Sequence, residues 1–306
     1  MSVGIGVLGV GNGSKTCRDV IPEGILPSQN VYLAAVCSRS MSRAEQVAGL
    51  FSEKVGNGHS VAPYCDFETM LENPRVQAVY IGTPNALHCA QTLQALEAGK
   101  HVLVEKPLST SVFDAEWMLG EARERGLILA VNTWWLYHPF SARLKELIQK
   151  QIFQPALIKF TQNKNYRLNG WRAKLDEAGG GILLDLGPHI FSWLFFVTQA
   201  KLADWRVYDV RNLGSNQTIG PEDKIYFQGQ LGQTEVIVSL SYQSPETRQS
   251  IWLMGNPSNG LLPTINLNQN DWPWGLEFSQ SIQGTAENNW EGASPQKFLV
   301  EDFGRA

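Results

Sequence analysis

The sequence has few cysteines and little surplus charge of either sign. Its four cysteines all lie in the first third of the 306 residues and show no CxxC spacing, so neither a disulfide framework nor a zinc site is indicated. With 25 Lys and Arg against 29 Asp and Glu, the chain has no basic excess for binding nucleic acid or an anionic membrane. We therefore expect no metal, no nucleic acid and no membrane, and a small molecule as the substrate.

The sequence also lacks a long uninterrupted apolar run. The most apolar stretch, residues 182–197, is short for a membrane span and contains Asp185, Pro188 and His189. The chain enters the strand-like VGIGVLGVG near its start without a basic segment or a cleavage site, which predicts a cytoplasmic protein. A length of 306 residues with 43% hydrophobic residues is typical of two globular domains.

Apolar runs and helical patterns alternate through the first part of the chain. The predicted strands are residues 3–8, 31–37, 76–82, 100–104 and 127–131. The predicted helices between them are residues 14–21, 41–54, 66–72, 86–98 and 111–125. This βαβ series predicts a dinucleotide-binding Rossmann domain over residues 1–132, in which a parallel sheet is doubly wound.

The pattern changes after residue 132, where alternating segments predict a different kind of sheet. Helices are predicted at residues 139–150 and 183–197, and strands at residues 203–212, 223–230, 234–242 and 247–254. Residues 255–295 are predicted to be rich in loops. The fold class is therefore α/β, with residues 133–306 forming an α/β domain for substrate binding and oligomerisation around an open, mostly antiparallel sheet.

A glycine-rich loop follows the first strand. Gly9, Gly11, Asn12 and Gly13 fit the pattern GxGxxG, with serine at the place of the last glycine. The loop leads from a strand into a helix of a βαβ unit, where Gly9 would allow a tight turn and Gly11 a close approach to a pyrophosphate. A plain glycine turn is the alternative.

The second strand ends in a polar group that can discriminate between dinucleotides. No carboxylate stands there to bind a ribose 2′-hydroxyl, and Ser38, Arg39 and Ser40 follow instead. An arginine flanked by hydroxyls can bind a 2′-phosphate through charge-assisted hydrogen bonds worth about 1.5 to 3 kcal/mol each. NADP is therefore favoured over NAD as the cofactor, and an exposed arginine at a helix start is the alternative.

The fourth predicted strand, residues 100–104, ends in a charged pair followed by proline. Proline removes a backbone donor and stops the strand, so Glu105 and Lys106 lie at its carboxyl end, which faces the ligand crevice in a parallel sheet. A catalytic lysine and a solvated charge pair in a turn both fit this position.

Three ordered motifs resemble those of the Gfo/Idh/MocA oxidoreductases, a family that includes glucose-fructose oxidoreductase and inositol dehydrogenase. They are residues 83–88 (TPNALH), residues 98–107 (AGKHVLVEKP) and residues 179–189 (GGGILLDLGPH). The resemblance implies that Lys106 lies beside the nicotinamide, that Glu105 supports the site, and that the Lys106–Pro107 bond is cis. It also implies cofactor contacts by Thr83, Pro84, Asn85, His88, Glu105 and Lys106, and substrate contacts by Trp171, Arg172, Asp185 and His189.

Oxidation of a carbinol requires a base for the hydroxyl proton and a donor to the developing alkoxide. Asp185 and His189 are four residues apart, which places both on one face of a helix. His189 can serve as the acid/base, Asp185 can orient substrate or lysine, and Lys106 can donate to the oxygen. Pro188 is compatible with a regular helix only in its first turn.

Some residues depart from the family pattern. An arginine-aromatic pair that is common in the family after the strand at residues 127–131 is absent, and Trp134 or Trp135 is the candidate to cover the nicotinamide in its place. The dihydrodiol dehydrogenases tend to have tyrosine where His189 stands, which favours a sugar, polyol or related hydroxy-carbonyl substrate. The chain ends where relatives continue, so we expect that the usual C-terminal tail is missing.

The resulting prediction is an NADP-preferring oxidoreductase that forms a homodimer or homotetramer through its C-terminal sheet. Two alternatives stay open at this point. One is a dinucleotide-binding regulator or inactive relative, which the intact Lys106, Asp185 and His189 disfavour. The other is an enzyme similar to the dihydrodiol dehydrogenases.

Overall fold

The computed structural model describes residues 2–11, 14–55, 60–212, 220–256, 264–269, 276–280, 299 and 302–303. The chain divides into two compact units, residues 1–137 with 294–306 and residues 138–293. The predicted boundary at 132/133 placed the turn Trp134–Tyr137 and the C-terminal segment in the second domain. Both pack on the first unit, because Trp134, Tyr137, Leu299 and Phe303 all join its core.

The first unit contains a six-stranded parallel sheet in the order β3-β2-β1-β4-β5-β6. Its strands are β1 (Val3–Leu8), β2 (Val31–Cys37), β3 (Ala62–Tyr64), β4 (Ala78–Ile81), β5 (His101–Val104) and β6 (Leu129–Val131). The central strands are apolar and buried on both faces, as expected where helices cover both sides of a sheet. The predicted doubly wound fold is confirmed, with β3 as a short edge strand that the sequence pattern did not reveal.

Helices connect these strands. They are α1 (Met41–Ser52), α2 (Phe67–Leu71), α3 (His88–Glu97) and α4 (Val112–Glu124). Gly99 and Gly126 follow α3 and α4 with φ of 72° and 65°, the left-handed conformation that ends a helix most readily with glycine. Residues Thr16–Ile25 form a π-helical segment instead of the predicted α-helix over 14–21. It contains Pro22, which disrupts regular α-helical hydrogen bonding.

The second unit contains a seven-stranded sheet in the order β13-β12-β11-β7-β10-β9-β8. The strands are β7 (Pro155–Asn165), β8 (Leu202–Asn212), β9 (Glu222–Leu231), β10 (Thr234–Ser241), β11 (Gln243–Gly255), β12 (Thr264–Gln269) and β13 (Leu276–Gln280). Strands β7 and β10 pair in parallel and the other neighbours pair antiparallel, so the predicted mostly antiparallel sheet is confirmed. The expected loop-rich region contains β12 and β13, which corrects that part of the prediction.

Three helices accompany this sheet, α5 (Pro139–Gln149), α6 (Leu175–Ala178) and α7 (Ile182–Thr198). Helix α7 packs against α5, β9 and β10. Trp193 of α7 lies between Phe140 and Phe160, with ring centroids 6.4 and 5.4 Å away, and its indole N–H donates to Ser141 Oγ at 2.9 Å. Pro188 lies inside α7, beyond the first turn that the sequence pattern allowed for it.

One described helical stretch, Leu175–Thr198, is long and apolar enough by length and composition to cross a membrane. Half of its most apolar window is buried inside the protein. A helix in the core of a globular protein meets the same criteria. The side chains of Trp193, Leu194 and Val197 on α7 belong to the buried core.

Helix α5 begins at a histidine that the fold keeps neutral. His138 occupies the N-cap position, and its Nδ1 accepts a hydrogen bond from the Phe140 N–H at 3.2 Å. Burial lowers the pKa of His138 from 6.5 to about 4. Because the pKa is lower in the folded state, the unfolded chain binds the extra proton between these two values. Stability contributed by the neutral ring is therefore complete above pH 6.5 and is lost as the pH falls toward 4.

We predict that His138→Asn removes this acid sensitivity, because asparagine also caps a helix N-terminus but does not titrate. The melting temperature of the wild type minus that of the variant, followed by circular dichroism, should decrease as the pH is lowered from 7 to 4.5. A difference that stays constant over this range would contradict the assignment.

Candidate functional site

The loop after β1 has the backbone geometry that a dinucleotide requires. Gly9 has a φ of 102°, and a Cβ there would lie 2.4 Å from the carbonyl oxygen of Gly82, so only glycine fits. A Cβ on Gly11 would meet nothing within 4 Å, which leaves space for a close approach of another molecule. Asn12 and Gly13 lie outside the described residues. The described part of the loop thus fits the predicted pyrophosphate contact.

A pocket of about 490 Å³ opens beside this loop, at the carboxyl end of β2. It is lined by Gly11, Ser38, Arg39, Ser40, Ser42, Arg43 and Gln46. Ser40 occupies the N-cap position of α1 but makes no capping bond, and its hydroxyl lies 2.8 Å from that of Ser42. Ser38, Arg39 and Ser40, which are predicted to recognise the ribose, therefore line the same pocket as a second arginine, Arg43.

That second arginine, Arg43, was not predicted. Its Nε donates to the carbonyl oxygen of Val10 at 2.9 Å, and its Nη2 donates to that of Gly11 at 3.4 Å. Arg43 thereby joins the first turn of α1 to the glycine loop. Arg39 lies just before α1 and Arg43 lies in its first turn, so the short distance in sequence between them was the available signal.

The turn after β4 is fixed by its own hydrogen bonds. Thr83 Oγ1 donates to Gln91 Oε1 at 2.5 Å, and Pro84 and the buried Asn85 lead into a short 3₁₀ helix. His88 is fully buried, with Nδ1 2.8 Å from the carbonyl oxygen of Pro107 and Nε2 3.0 Å from that of Thr83. Burial lowers the pKa of His88, and the two carbonyls oppose this effect. The His88 ring therefore connects two turns, and its predicted contact with the cofactor stays a prediction.

The Lys106–Pro107 peptide bond is cis, as the resemblance implied. Glu105, the residue before Lys106, accepts hydrogen bonds from three donors, one on β4, one directly after β6 and one on the next residue of the chain. The Tyr80 hydroxyl donates to Oε1, Asn132 Nδ2 donates to Oε1 at 2.6 Å, and the Lys106 N–H donates to Oε2 at 3.2 Å. Glu105 thus binds the backbone N–H of Lys106, which is consistent with its predicted supporting role.

Tyr80 and Asn132 are buried polar residues that sequence reasoning missed. Burial raises the pKa of Tyr80 well above its usual range, and the adjacent Glu105 carboxylate raises it further. The Tyr80 hydroxyl therefore remains a donor at neutral pH. Neither residue belongs to a motif, and their convergence depends on the pairing of β4, β5 and β6.

Trp134 lies in the 3₁₀ turn after β6. It is partly buried against the core of the first unit, and its ring meets that of Trp135 edge to face at 6.1 Å. Packing therefore accounts for one side of its ring, and its role over the nicotinamide stays a prediction.

In the second unit, Asp185 and His189 lie one turn apart on α7, as predicted. The hydroxyl of Tyr242, at the junction of β10 and β11, donates to Asp185 Oδ2. Burial raises the pKa of Tyr242, and the Asp185 carboxylate adds to this effect. Tyr166 packs against Tyr242 with ring centroids 5.2 Å apart. Tyr242 therefore acts as a protonated donor that holds one oxygen of Asp185.

Trp171 and Arg172 lie in the 3₁₀ helix Gly170–Ala173. The guanidinium of Arg172 stacks on the Trp171 ring, 4.2 Å from its centroid. The positive charge of Arg172 also acts on Tyr242, where it favours the ionised form. Arg172, which is predicted to bind substrate, thus acts electrostatically on the Tyr242 hydroxyl that donates to Asp185.

Comparison with known proteins identifies similar sequences. The Gfo/Idh/MocA family model, described as an oxidoreductase family with an NAD-binding Rossmann fold, matches residues 3–133. The chain is 35% identical over 164 residues to 1,5-anhydro-D-fructose reductase of Ensifer adhaerens, an alignment that covers 51% of this chain and 47% of that enzyme. The chain thus spans about half the length of this relative.

A second relative aligns along nearly the whole chain. The dTDP-3,4-didehydro-2,6-dideoxy-alpha-D-glucose 3-reductase of Actinomadura kijaniata is 26% identical over 324 positions, covering 99% of this chain and 92% of the relative. A crystal structure of KijD10, a 3-ketoreductase from Actinomadura kijaniata in complex with TDP-benzene and NADP, superposes with a TM-score of 0.79 at 20% identity. It covers 100% of this chain and 90% of that one, and establishes a shared fold.

We predict that Tyr80→Phe destabilises the first unit by about 1 to 3 kcal/mol, because Glu105 then loses a hydrogen bond inside the protein. Native-state hydrogen exchange of peptides from β4, β5 and β6 would measure the loss. Tyr64→Phe is the matched control, since the Tyr64 hydroxyl accepts a hydrogen bond from Asn73 Nδ2 at a part-buried site, and it should cost less. Equal losses for both variants would refute a special role for the Glu105 network.

Proposed function

We propose that this protein, whose residues 3–133 match the Gfo/Idh/MocA family model, is an NADP-preferring oxidoreductase that acts on a sugar, a polyol or a related hydroxy-carbonyl compound. The observation that carries the proposal is the pocket beside the glycine loop. Its lining includes two arginines and three serines and contains no carboxylate.

The preference for NADP follows from charge. A carboxylate at the end of β2 would accept from a ribose 2′-hydroxyl and repel a 2′-phosphate. Arg39 and the hydroxyls of Ser38 and Ser40 would instead donate to the phosphate oxygens. Arg43 adds a second positive charge, and its bonds to the carbonyls of Val10 and Gly11 keep the glycine loop next to the pocket.

A nicotinamide bound beside the glycine loop would supply the acceptor for a hydride from the substrate carbinol carbon, or the donor of a hydride to the carbonyl carbon. We propose that Lys106 donates a hydrogen bond to the substrate oxygen and stabilises its developing negative charge. His189 takes the hydroxyl proton during oxidation and returns it during reduction. Asp185, held by Tyr242, orients the substrate. Trp171 and Arg172 contribute a stacking surface and a charge for a polar substrate.

The relatives support the substrate class. Their names describe reductases of anhydrofructose and of a dTDP-linked keto sugar. A dihydrodiol substrate is a second candidate, since trans-1,2-dihydrobenzene-1,2-diol dehydrogenase of Macaca fascicularis is 30% identical over 203 residues, 64% of this chain and 56% of that enzyme.

We further propose that the protein works in the cytoplasm as a homodimer or homotetramer formed through the open sheet of the second unit. Val207, Tyr208 and Val210 expose apolar surface along β8, and covering them with a second copy would remove it from water. The four cysteines are free, which suits a reducing compartment.

The first prediction from this proposal concerns cofactor choice. Arg39→Ala should weaken NADPH binding at least tenfold and leave NADH binding nearly unchanged, because only NADPH carries the 2′-phosphate. Arg43→Ala should weaken both, since Arg43 also holds the glycine loop. Fluorescence titration measures the affinities, with Arg123→Ala on the exposed end of α4 as the control. Equal losses for both cofactors in Arg39→Ala would contradict the assignment.

The second prediction concerns the chemical step. Lys106→Ala and His189→Ala should each reduce turnover by about 10² to 10⁴ while NADPH affinity stays within a few-fold. The double variant should be little worse than either single one, because groups that act as a unit are not additive. Lys150→Ala, which removes only a surface ion pair with Glu146, should retain full turnover.

Three results would change the account. Turnover that survives His189→Ala would mean that another group is the base, with Tyr166 as the next candidate. Turnover of dihydrodiols in preference to sugars and polyols would favour the second substrate class. A wild type that turns over no substrate in a broad screen, yet binds NADPH and then changes its association with another protein, would be a dinucleotide-binding regulator.

A further inference from the structure

The N-terminus of α7 is bound by a carboxylate from the sheet. Glu222, the first residue of β9, accepts from the Gly181 N–H through Oε2 at 2.8 Å and from the Leu183 N–H through Oε1 at 3.0 Å. These are two of the amides that an α-helix leaves without a partner at its start. Gly181 itself makes no side-chain cap, so the carboxylate of Glu222 serves that purpose from another element.

The same contact explains a glycine of the GGG motif. A Cβ on Gly181 would lie 1.9 Å from the Glu222 carbonyl oxygen and 2.4 Å from its nitrogen. Any other residue would push the start of α7 away from β9. Gly179, two residues earlier, ends α6 with a φ of 75°. The glycines therefore let the chain leave α6 and enter α7 in direct contact with the backbone of Glu222.

Asp223, the residue after Glu222, binds Tyr242, whose hydroxyl donates to Asp185. The carbonyl oxygen of Asp223 accepts from the Tyr242 N–H at 2.8 Å. The buried carboxylate of Asp223 is in turn fixed by two bonds from Arg211, at 2.9 and 3.0 Å. Glu222 thus binds the start of α7, the helix that carries Asp185. Asp223 binds Tyr242, which donates to Asp185.

These bonds form a closed circuit, from β9 to the N-terminus of α7, through Asp185 to Tyr242, and back to β9. We propose that Glu222 is a positioning residue of the active site, which sets the position of α7 and thereby the placement of Asp185 and His189. The inference rests on the proposed function, because it assigns Glu222 to the same reaction. It predicts an effect on turnover in addition to the stability that any helix cap provides.

Glu222→Gln tests this with little change in shape. Glutamine has one acceptor oxygen in place of two, so one amide of α7 loses its partner and the charge is removed. We expect kcat to fall about tenfold or more, because displacement of a reacting group by about 1 Å can cost about 10² in rate. NADPH affinity should not change. The matched control is Glu235→Gln on β10, which pairs with Gln230 toward the other end of β9 and should keep full kcat.

A double-variant cycle separates positioning from stability. In the Tyr242→Phe background the circuit is already open, so Glu222→Gln should reduce kcat by a smaller factor than in the wild type. Hydrogen exchange of peptides covering residues 181–189 should become faster in Glu222→Gln and stay unchanged in Glu235→Gln. This readout requires no turnover and also shows that the variant remains folded.

The outcomes distinguish the two claims. Reduced kcat with faster exchange in α7 and unchanged NADPH affinity would support the positioning role. Faster exchange with full kcat, or equal factors in both backgrounds, would overturn it and leave Glu222 as a helix cap. A wild type without turnover on any sugar, polyol or dihydrodiol would overturn the proposed function itself, and the positioning role with it.

Discussion

Parallel strands joined by crossover helices must all end at the same edge of the sheet, and the first unit depends on this constraint. It brings the glycine loop after β1, the serine-arginine turn after β2 and the cis turn after β5 to one edge, although they are separated widely in sequence. The helix dipoles and free amides at that edge favour an anion. A dinucleotide site is therefore a consequence of topology, and the side chains at the strand ends decide which dinucleotide it prefers.

In both units a buried tyrosine hydroxyl donates a hydrogen bond to a carboxylate. In the first unit Tyr80 donates to Glu105, and in the second Tyr242 donates to Asp185. Burial and the neighbouring carboxylate raise the pKa of each tyrosine, so each remains protonated and serves as a donor. Each tyrosine hydroxyl therefore holds one oxygen of its carboxylate in place.

Local sequence patterns predicted the parts of the structure that depend on neighbours in the chain. The glycine loop, the strand ends and the four-residue spacing of Asp185 and His189 follow from backbone geometry and helical periodicity. Strand β7 was missed because lysine, asparagine and glutamine interrupt its apolar alternation, although it lies at the centre of its sheet. Tyr80, Asn132 and Glu222 were missed because their partners are distant in sequence, and only strand pairing brings them together.

The central claim is that this protein moves a hydride between a nicotinamide and a sugar-like carbon. The most direct test is incubation with NADPH carrying deuterium at the transferring position of C4 and a panel of keto sugars, with the products analysed by mass spectrometry and NMR. We expect a product with one deuterium bonded to the newly formed carbinol carbon. Tight binding of the labelled cofactor with no deuterium in any product would contradict it.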